Sequence, residues 1–188
     1  MKRLALILLA LTVSAGATSY VPPRPLLIGS DFGIYGFKFL PRGVSDASAS
    51  ARESWGELFM LQPDGRLKTL WKRRLVNTPS RILISPRGQV VTLDNWAGSG
   101  SPRHAVVVYD LNGKVTADLK FSDVVAAPDA CPRCFSMDGP FLSWGFAPKF
   151  VFYGEDVHLA LRDFQGKGPS LNLVTGKLKT VWNGQPRP

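Results

Sequence analysis

One short pattern occurs twice in this chain and returns in weaker form between the two copies. Residues 65–71 read GRLKTLW, residues 176–182 read GKLKTVW, and residues 112–116 read NGKVT. Each copy has a glycine where a hairpin would turn and a strand-forming run after it. Such recurrence is typical of repeat architectures, in which one supersecondary unit is stacked several times. The pattern therefore predicts a fold and is silent about chemistry.

The beginning of the chain predicts export. Lys2 and Arg3 precede an apolar run at residues 4–13, and small residues follow at 15–17, which is the order of a cleaved secretory signal. A membrane anchor is the alternative, but the run is shorter than the ~20 residues that cross a bilayer. We therefore expect a signal peptide at residues 1–17, a single domain without a transmembrane segment at residues 18–188, and a periplasmic or secreted protein.

Composition agrees with one globular domain that carries excess positive charge. The chain is 45% hydrophobic and 20% charged, and its formal net charge is +9. In an exported protein this charge suits binding to an anionic envelope polymer, to phospholipid headgroups or to a protein partner. Nucleic acid is not expected as a partner, because the basic residues are scattered rather than arranged in a stripe or a known binding module. Ordinary solvated surface charge explains the same excess.

Short apolar runs alternate with turn residues through most of the chain. These runs predict β-strands at residues 58–61, 67–71, 81–84, 89–93, 105–109, 150–153, 157–161, 170–174 and 178–182. Gly65 and Gly88 end turns that contain proline, and Asn112-Gly113 predicts a two-residue hairpin with a mirror-image turn. Neighbouring strands are therefore antiparallel. Helix is expected only at residues 122–127, while residues 48–55 are ambiguous.

The strands group into three units at about residues 26–75, 81–121 and 141–182. The second unit contains VTLDNW at residues 91–96 and VVVYD at residues 106–110. These stretches resemble the blade repeats of secreted bacterial β-propeller-like proteins of uncharacterised function. The resemblance implies an all-β fold of antiparallel four-stranded meanders repeated about three times, and it carries no activity that could be transferred.

Closed propellers have roughly four to eight blades, so three units predict an incomplete β-propeller-like array. Three arrangements stay open. A divergent fourth unit could lie at residues 20–50, the sheets could form an open arc, or two chains could complete a ring as a homodimer.

The two tryptophans that end the long repeats occupy equivalent places. Trp71 and Trp182 each close a copy of the pattern, and the middle copy has Leu119 at the same distance from its glycine. Shared position predicts that both rings fill equivalent places in the core rather than a surface stacking platform.

A polar loop follows the strand at residues 89–93 and predicts a binding site. Asp94, Asn95 and Trp96 open this loop, and Arg103 lies near its end. Loops on rigid sheets are common places for binding residues, and acceptors, a large ring and a cation suit a polar ring such as a sugar or an envelope fragment. The plainer interpretation is that Asp94 and Asn95 hydrogen-bond the turn while Trp96 packs beneath it.

Cys131 and Cys134 are the two cysteines of the sequence, and in an oxidising compartment they should pair in a disulfide. The alternative is a thiol-disulfide or metal-binding protein that uses this pair. Exchange needs a depressed thiol pKa, usually at a helix N-terminus, whereas these surroundings are typical of a loop. Zinc needs further ligands, for which only His104 and His158 offer imidazole. We expect neither a metal nor another cofactor.

Common enzyme signatures do not occur in the sequence. It contains no phosphate-binding loop, dinucleotide motif, hydrolase elbow or metalloprotease motif, so no residue is predicted to be catalytic. The sequence therefore predicts an exported, non-catalytic β-repeat protein that binds an envelope polymer or a partner protein.

Overall fold

The computed structural model describes residues 23–31, 33–41, 54–96, 102–125, 131–136, 139–163 and 166–179. The predicted signal peptide, the tip of the polar loop at residues 97–101, and Trp182 lie outside these described residues.

The described residues form three antiparallel four-stranded sheets, in each of which the strands follow one another in sequence order. Sheet 1 consists of β1 (Leu26–Gly29), β2 (Tyr35–Pro41), β3 (Ser54–Leu61) and β4 (Leu67–Arg74). Sheet 2 consists of β5 (Arg81–Ile84), β6 (Val90–Leu93), β7 (Val106–Tyr109) and β8 (Val115–Leu119). The connection to sheet 3 contains α1 (Phe121–Val124), a 3₁₀ turn (Pro132–Cys134), a small hairpin of β9 (Phe135–Ser136) and β10 (Gly139–Pro140), and α2 (Leu142–Gly145). Sheet 3 consists of β11 (Ala147–Tyr153), β12 (Asp156–Arg162), β13 (Ser170–Asn172) and β14 (Leu178–Lys179). The predicted all-β class and the three four-stranded meanders are confirmed.

The hairpins β3–β4, β5–β6 and β7–β8 share one loop type, which differs in one respect from the sequence prediction. Gly65, Gly88 and Gly113 have φ of 82°, 80° and 75°, and each donates its N–H to the carbonyl three residues earlier. Asn112 is not among the residues with positive φ, so the predicted mirror-image turn at Asn112-Gly113 is wrong. The loop is instead a three-residue hairpin in which a left-handed glycine forms a bulge.

Sheet 2 is buried on both faces, because successive side chains of a strand point to opposite sides. Val107 and Tyr109 belong to an apolar cluster shared with sheet 1, whose other members include Phe37, Leu58 and Trp71. Val106 and Val108 belong to a second cluster shared with sheet 3, whose other members include Leu159, Leu161 and Leu171. The sheets are therefore stacked face to face in chain order, with sheet 2 in the middle.

The same contact recurs at both interfaces of this stack. The turn glycine of sheet 2, Gly113, lies against the last strand of sheet 1, where an added Cβ would be 3.0 Å from the Trp71 ring. The turn glycine of sheet 3, Gly176, lies against Thr116 of β8. At Gly65 of sheet 1 an added Cβ would meet nothing within 4 Å. Sheets 2 and 3 therefore each pack their last hairpin against the last strand of the preceding sheet, and the corresponding hairpin of sheet 1 makes no such contact at Gly65.

Trp71 is a core residue, as predicted. It is 7% exposed. Its ring packs edge-on against Phe37 at a centroid distance of 5.5 Å and in a tilted arrangement against Tyr109 at 5.8 Å. The predicted equivalence with Trp182 stays a prediction, because Trp182 lies outside the described residues.

Three local features differ from the sequence predictions. The predicted helix at residues 122–127 begins one residue earlier, as α1, with Lys120 at the N-cap. Of the ambiguous residues 48–55, Ser54 and Trp55 lie in β3. The segment at residues 20–50 supplies β1 and β2 of sheet 1, so its described part is no separate fourth unit.

Candidate binding surfaces

The carboxylate of Asp94 is used inside the protein. Asp94 is 2% exposed, and its Oδ1 accepts a hydrogen bond from the N–H of Leu142 at 2.6 Å. Its Oδ2 accepts bonds from the N–H of Ser143 at 3.2 Å and from the Ser80 hydroxyl at 2.5 Å. The carboxylate thereby caps the first turn of α2 from sheet 2, which fixes the segment that leads into sheet 3.

Asp94 has a left-handed backbone conformation and a perturbed pKa. Its φ of 64° is left-handed, a conformation that aspartate and asparagine tolerate better than other residues with a Cβ. Burial raises the pKa of Asp94, and the hydrogen bonds from Ser143, Ser80 and Leu142 act in the opposite direction. A buried carboxylate that still accepts several hydrogen bonds is a structural anchor between elements.

Asn95 and Trp96 also bond to the connection between sheets 1 and 2. The Oδ1 of Asn95 accepts the N–H of Thr78 at 3.1 Å, and the N–H of Trp96 donates to the Thr78 carbonyl at 2.7 Å. Trp96 is half-buried and Arg103 is exposed. The side chains of Asp94 and Asn95 therefore bond to other elements of the fold, so the prediction that they hydrogen-bond the turn is wrong in its partners. Ligand binding by Asp94, Asn95, Trp96 and Arg103 stays a prediction.

The return from the polar loop is held by a contact between His104 and Asp118. His104, with φ of 58°, places its Nδ1 2.9 Å from both carboxylate oxygens of Asp118 on β8. This contact ties the end of the loop to β8. Arg103, the residue before His104, is exposed beside it.

Cys131 and Cys134 are bonded as a disulfide, with their Cα atoms 5.4 Å apart. Their exposed fractions are 4% and 0%, and both belong to the core cluster between sheets 2 and 3. The sulfurs lie directly against Gly145 of α2, where a Cβ would overlap them. Thiol-disulfide exchange needs an accessible sulfur, so this burial favours a structural bridge. Within the described ranges, no group of three or more His, Cys, Asp or Glu could hold a metal ion.

A serine, a histidine and an asparagine form a buried network on sheet 3. The Nδ2 of Asn172 donates to Asp156 at 3.1 Å and lies 3.3 Å from the Nε2 of His158, while the Nδ1 of His158 lies 3.2 Å from the Ser170 hydroxyl. The Oδ1 of Asn172 accepts the N–H groups of Val174 and Thr175, which fixes the direction of the amide.

Because the amide N–H₂ faces Nε2, that nitrogen must be the acceptor and Nδ1 must carry the proton. His158 therefore donates to Ser170 and cannot take a proton from it. Burial lowers the pKa of His158, which agrees with a neutral ring. The network is a structural one and does not activate a nucleophile.

The first strands of the three sheets converge on a cleft of about 430 Å³. Ile28, Ile84 and Phe150 line it, together with one acid, Asp31, and one base, Lys149. The two charges are opposite in sign, so the cleft itself favours neither an anion nor a cation.

The outer face of sheet 1, which points away from sheet 2, has an apolar half and a charged half. Phe37 and Phe39 point toward sheet 2, so the residues between and beside them on β2, Gly36 and Lys38, point outward. Around Gly36 lies an apolar groove of about 300 Å³, whose walls include Leu27, Ile34, Phe59, Leu61 and Leu67. We call this feature the apolar groove.

The charged half of this face begins next to the apolar groove. Lys38, Glu57 and Lys72 are cross-strand partners on β2, β3 and β4, and we call them the charged row. Both lysines are exposed, and the Oε1 of Glu57 accepts a hydrogen bond from Thr69 at 3.1 Å. The row thus presents two cations with one acid, Glu57, between them, and its net charge is positive.

No protein-family model matches this chain, and a search of curated proteins finds no significant match. Among the helices of the described residues, none combines the length and the apolar character needed to cross a bilayer.

Proposed function

We propose that this is an exported, non-catalytic β-repeat protein that binds an anionic polymer of the cell envelope across the outer face of sheet 1. The observation that carries the proposal is the charged row. Lys38 and Lys72 are exposed on one sheet face, and paired positions on neighbouring strands hold their side chains at fixed separations.

The charge of sheet 1 agrees with an anionic ligand. Sheet 1 and its turns carry more cations than acids, and several of the cations lie on or beside β4, which is the edge strand of the sheet. Arg66 is paired with Asp64 at 2.6 Å, whereas Lys72 is exposed on the same face as Lys38. Neighbouring strands lie about 5 Å apart, so a polymer that crosses the sheet from β2 to β4 can meet both Lys38 and Lys72.

The stack of sheets supports an incomplete, propeller-like array. The sheets follow one another face to face, and the contact of each turn glycine with the preceding sheet recurs at both interfaces. This regular repetition is what consecutive propeller blades require. Among the described residues three sheets leave the array open, and no described sheet packs on the outer face of sheet 1.

The test is charge reversal with a matched control. The double variant Lys38→Glu/Lys72→Glu should bind fluorescently labelled poly(glycerol phosphate) at least about tenfold more weakly than the unmodified protein, since two attractions become repulsions. Lys114→Glu/Lys167→Glu changes the net charge equally at exposed positions on sheets 2 and 3 and should change the affinity much less. Equal losses in the two double variants, or equal binding of uncharged dextran, would refute a specific site.

The predicted loop site provides a separate comparison. If Trp96→Ala/Arg103→Gln abolishes polymer binding while Lys38→Glu/Lys72→Glu leaves it unchanged, the polymer binds at the loop and not at sheet 1. Each pair lies on a different element, so the two variants report on different surfaces.

Export is tested by the N-terminus of the protein. In a bacterial host, the purified protein should begin near Thr18 and should be recovered from the periplasm or the medium, because cleavage follows the small residues at 15–17. Intact mass spectrometry of each cell fraction measures this directly. A full-length chain confined to the cytoplasm would contradict the proposal.

A further inference from the structure

The apolar groove has the form of a site for a narrow aliphatic chain. Its floor contains Gly29 and Gly36, which face each other across β1 and β2. A Cβ at Gly29 would meet nothing within 4 Å among the described residues, whereas the Phe59 ring lies over Gly36. The floor is therefore open at Gly29 and covered by the Phe59 ring at Gly36, so the groove is a shallow depression in the face of sheet 1.

The walls of the apolar groove are exposed to an unusual degree for aliphatic side chains. Leu27 is 74% exposed, Leu67 is 62% exposed, and Ile34 and Leu61 are each 47% exposed. A contiguous exposed apolar patch with charged residues at its rim marks an interaction site more often than isolated exposed leucines do. The volume of about 300 Å³ lies at the lower end of the range for small-molecule sites.

The charges beside the groove indicate what kind of ligand would fill it. Leu27, in the wall, is the cross-strand partner of Lys38, and paired positions on adjacent strands lie within about 5.5 Å at their Cβ atoms. Lys38 follows Gly36 by two positions on the same face, a separation of about 7 Å along β2. One ligand could therefore place an apolar part in the groove and an anionic part on the charged row.

We propose that the apolar groove holds an acyl chain of an anionic phospholipid whose phosphate lies on Lys38 and Lys72. This inference rests on the proposed function, because it uses the same two lysines for the anionic group. It adds a second ligand for the same face, an amphiphile that also fills the apolar groove.

The experiment compares three probes that separate the two halves of the face. Isothermal titration calorimetry would measure binding of dihexanoyl phosphatidylglycerol below its micelle concentration, of glycerol phosphate, and of poly(glycerol phosphate). The intact lipid should bind at least about tenfold more tightly than glycerol phosphate, because the acyl chains add apolar burial. Its binding should also show a negative heat-capacity change.

Substitutions in the walls give the decisive comparison. Leu27→Gln and Leu67→Gln replace exposed side chains, so folding should be preserved, and each should weaken lipid binding about tenfold. Val174→Gln is the matched control, because Val174 is 54% exposed on sheet 3. Neither wall variant should alter binding of poly(glycerol phosphate).

The outcomes distinguish failure of this inference from failure of the proposed function. If the polymer binds through Lys38 and Lys72 but the lipid binds no more tightly than glycerol phosphate, the acyl-chain site is refuted and the polymer site stands. If neither polymer nor lipid depends on the lysines, both are refuted. If Leu27→Gln disrupts a dimer seen by light scattering while lipid binding is absent, the groove is an interface between copies of the chain and the inference is overturned.

Discussion

Replacement of Asp94 tests whether this residue anchors the fold or contacts a ligand. In Asp94→Asn the side chain keeps its size, and asparagine tolerates the φ of 64° as well as aspartate does. One carboxylate oxygen becomes an N–H₂ group. That group must face either the N–H of Leu142 or the N–H of Ser143 and the hydroxyl of Ser80, so at least one buried donor loses its acceptor.

An unsatisfied buried donor costs about 1–3 kcal/mol, and the remaining bonds lose their charge assistance. Against this, the neutral amide avoids the burial cost that raises the pKa of Asp94. We expect Asp94→Asn to lower the free energy of unfolding by about 2 kcal/mol, which corresponds to a melting temperature about 4–8 °C lower for a domain of this size. Asp94→Ala removes every acceptor and keeps the left-handed strain, so its loss should be larger, at about 3–5 kcal/mol.

Urea unfolding followed by tryptophan fluorescence would measure these losses, and amide hydrogen exchange would show faster exchange at Leu142 and Ser143 in both variants. Asp118→Asn is the matched control, because Asp118 is an acid of the same sheet whose side chain is 38% exposed, and it should cost less than about 1 kcal/mol. If both Asp94 variants unfold like the unmodified protein while ligand binding is lost, Asp94 is a ligand contact and the anchoring argument is wrong.

Three further changes test the stacking and the buried polar groups. Gly176→Ala places a Cβ against a carbonyl of β8, whereas in Gly65→Ala the Cβ meets no atom within 4 Å. Both glycines have positive φ, so the backbone strain should be similar in the two variants and should cancel in their comparison. Gly176→Ala should therefore lower the free energy of unfolding in urea by about 1–3 kcal/mol more than Gly65→Ala does. Burial lowers the pKa of His158 in the folded protein. The contribution of the neutral ring to stability should therefore be complete above pH 6.5 and should decrease as the pH falls from there to the folded pKa. In His158→Gln, the difference between the free energies of unfolding at pH 7.5 and pH 5 should be smaller. Tyr109→Phe removes the acceptor of the Val76 N–H at 3.0 Å and should cost about 1 kcal/mol, so an unchanged melting temperature would contradict that bond's contribution.

The sheets were predictable from sequence because their signals are local. Alternating apolar runs set the strands, and glycines that need positive φ set the hairpins, so each meander is encoded within a few tens of residues. The membership of β1 and β2 in sheet 1 was less visible, since their hairpin at Gly33 lacks the repeated pattern. The loop type was mispredicted because Asn-Gly favours two different hairpins, and pairing of the flanking strands selects between them.

The roles of the site residues depended on partners that are distant in sequence. Asp94 reaches α2 across 48 positions of the chain, and no local pattern shows that its carboxylate would be satisfied there. The outer face of sheet 1 did leave a signal that could have been used. On β2, Gly36 and Lys38 alternate with Phe37 and Phe39, and that period of two places the apolar pair inward and the other pair outward.

Protection of an edge strand is an alternative explanation for the lysines of sheet 1, and their positions distinguish it from ligand binding. Lysine on an edge strand prevents pairing with another chain, and the repeated pattern places lysines on or beside the last strand of every sheet, including Lys114 and Lys177. Lys38 does not fit that explanation, because β2 is bonded to β1 and β3 on both sides and has no free edge. Edge protection therefore does not explain Lys38, whose cross-strand partner is Glu57, and the charge-reversal variants test whether the proposed anionic ligand does.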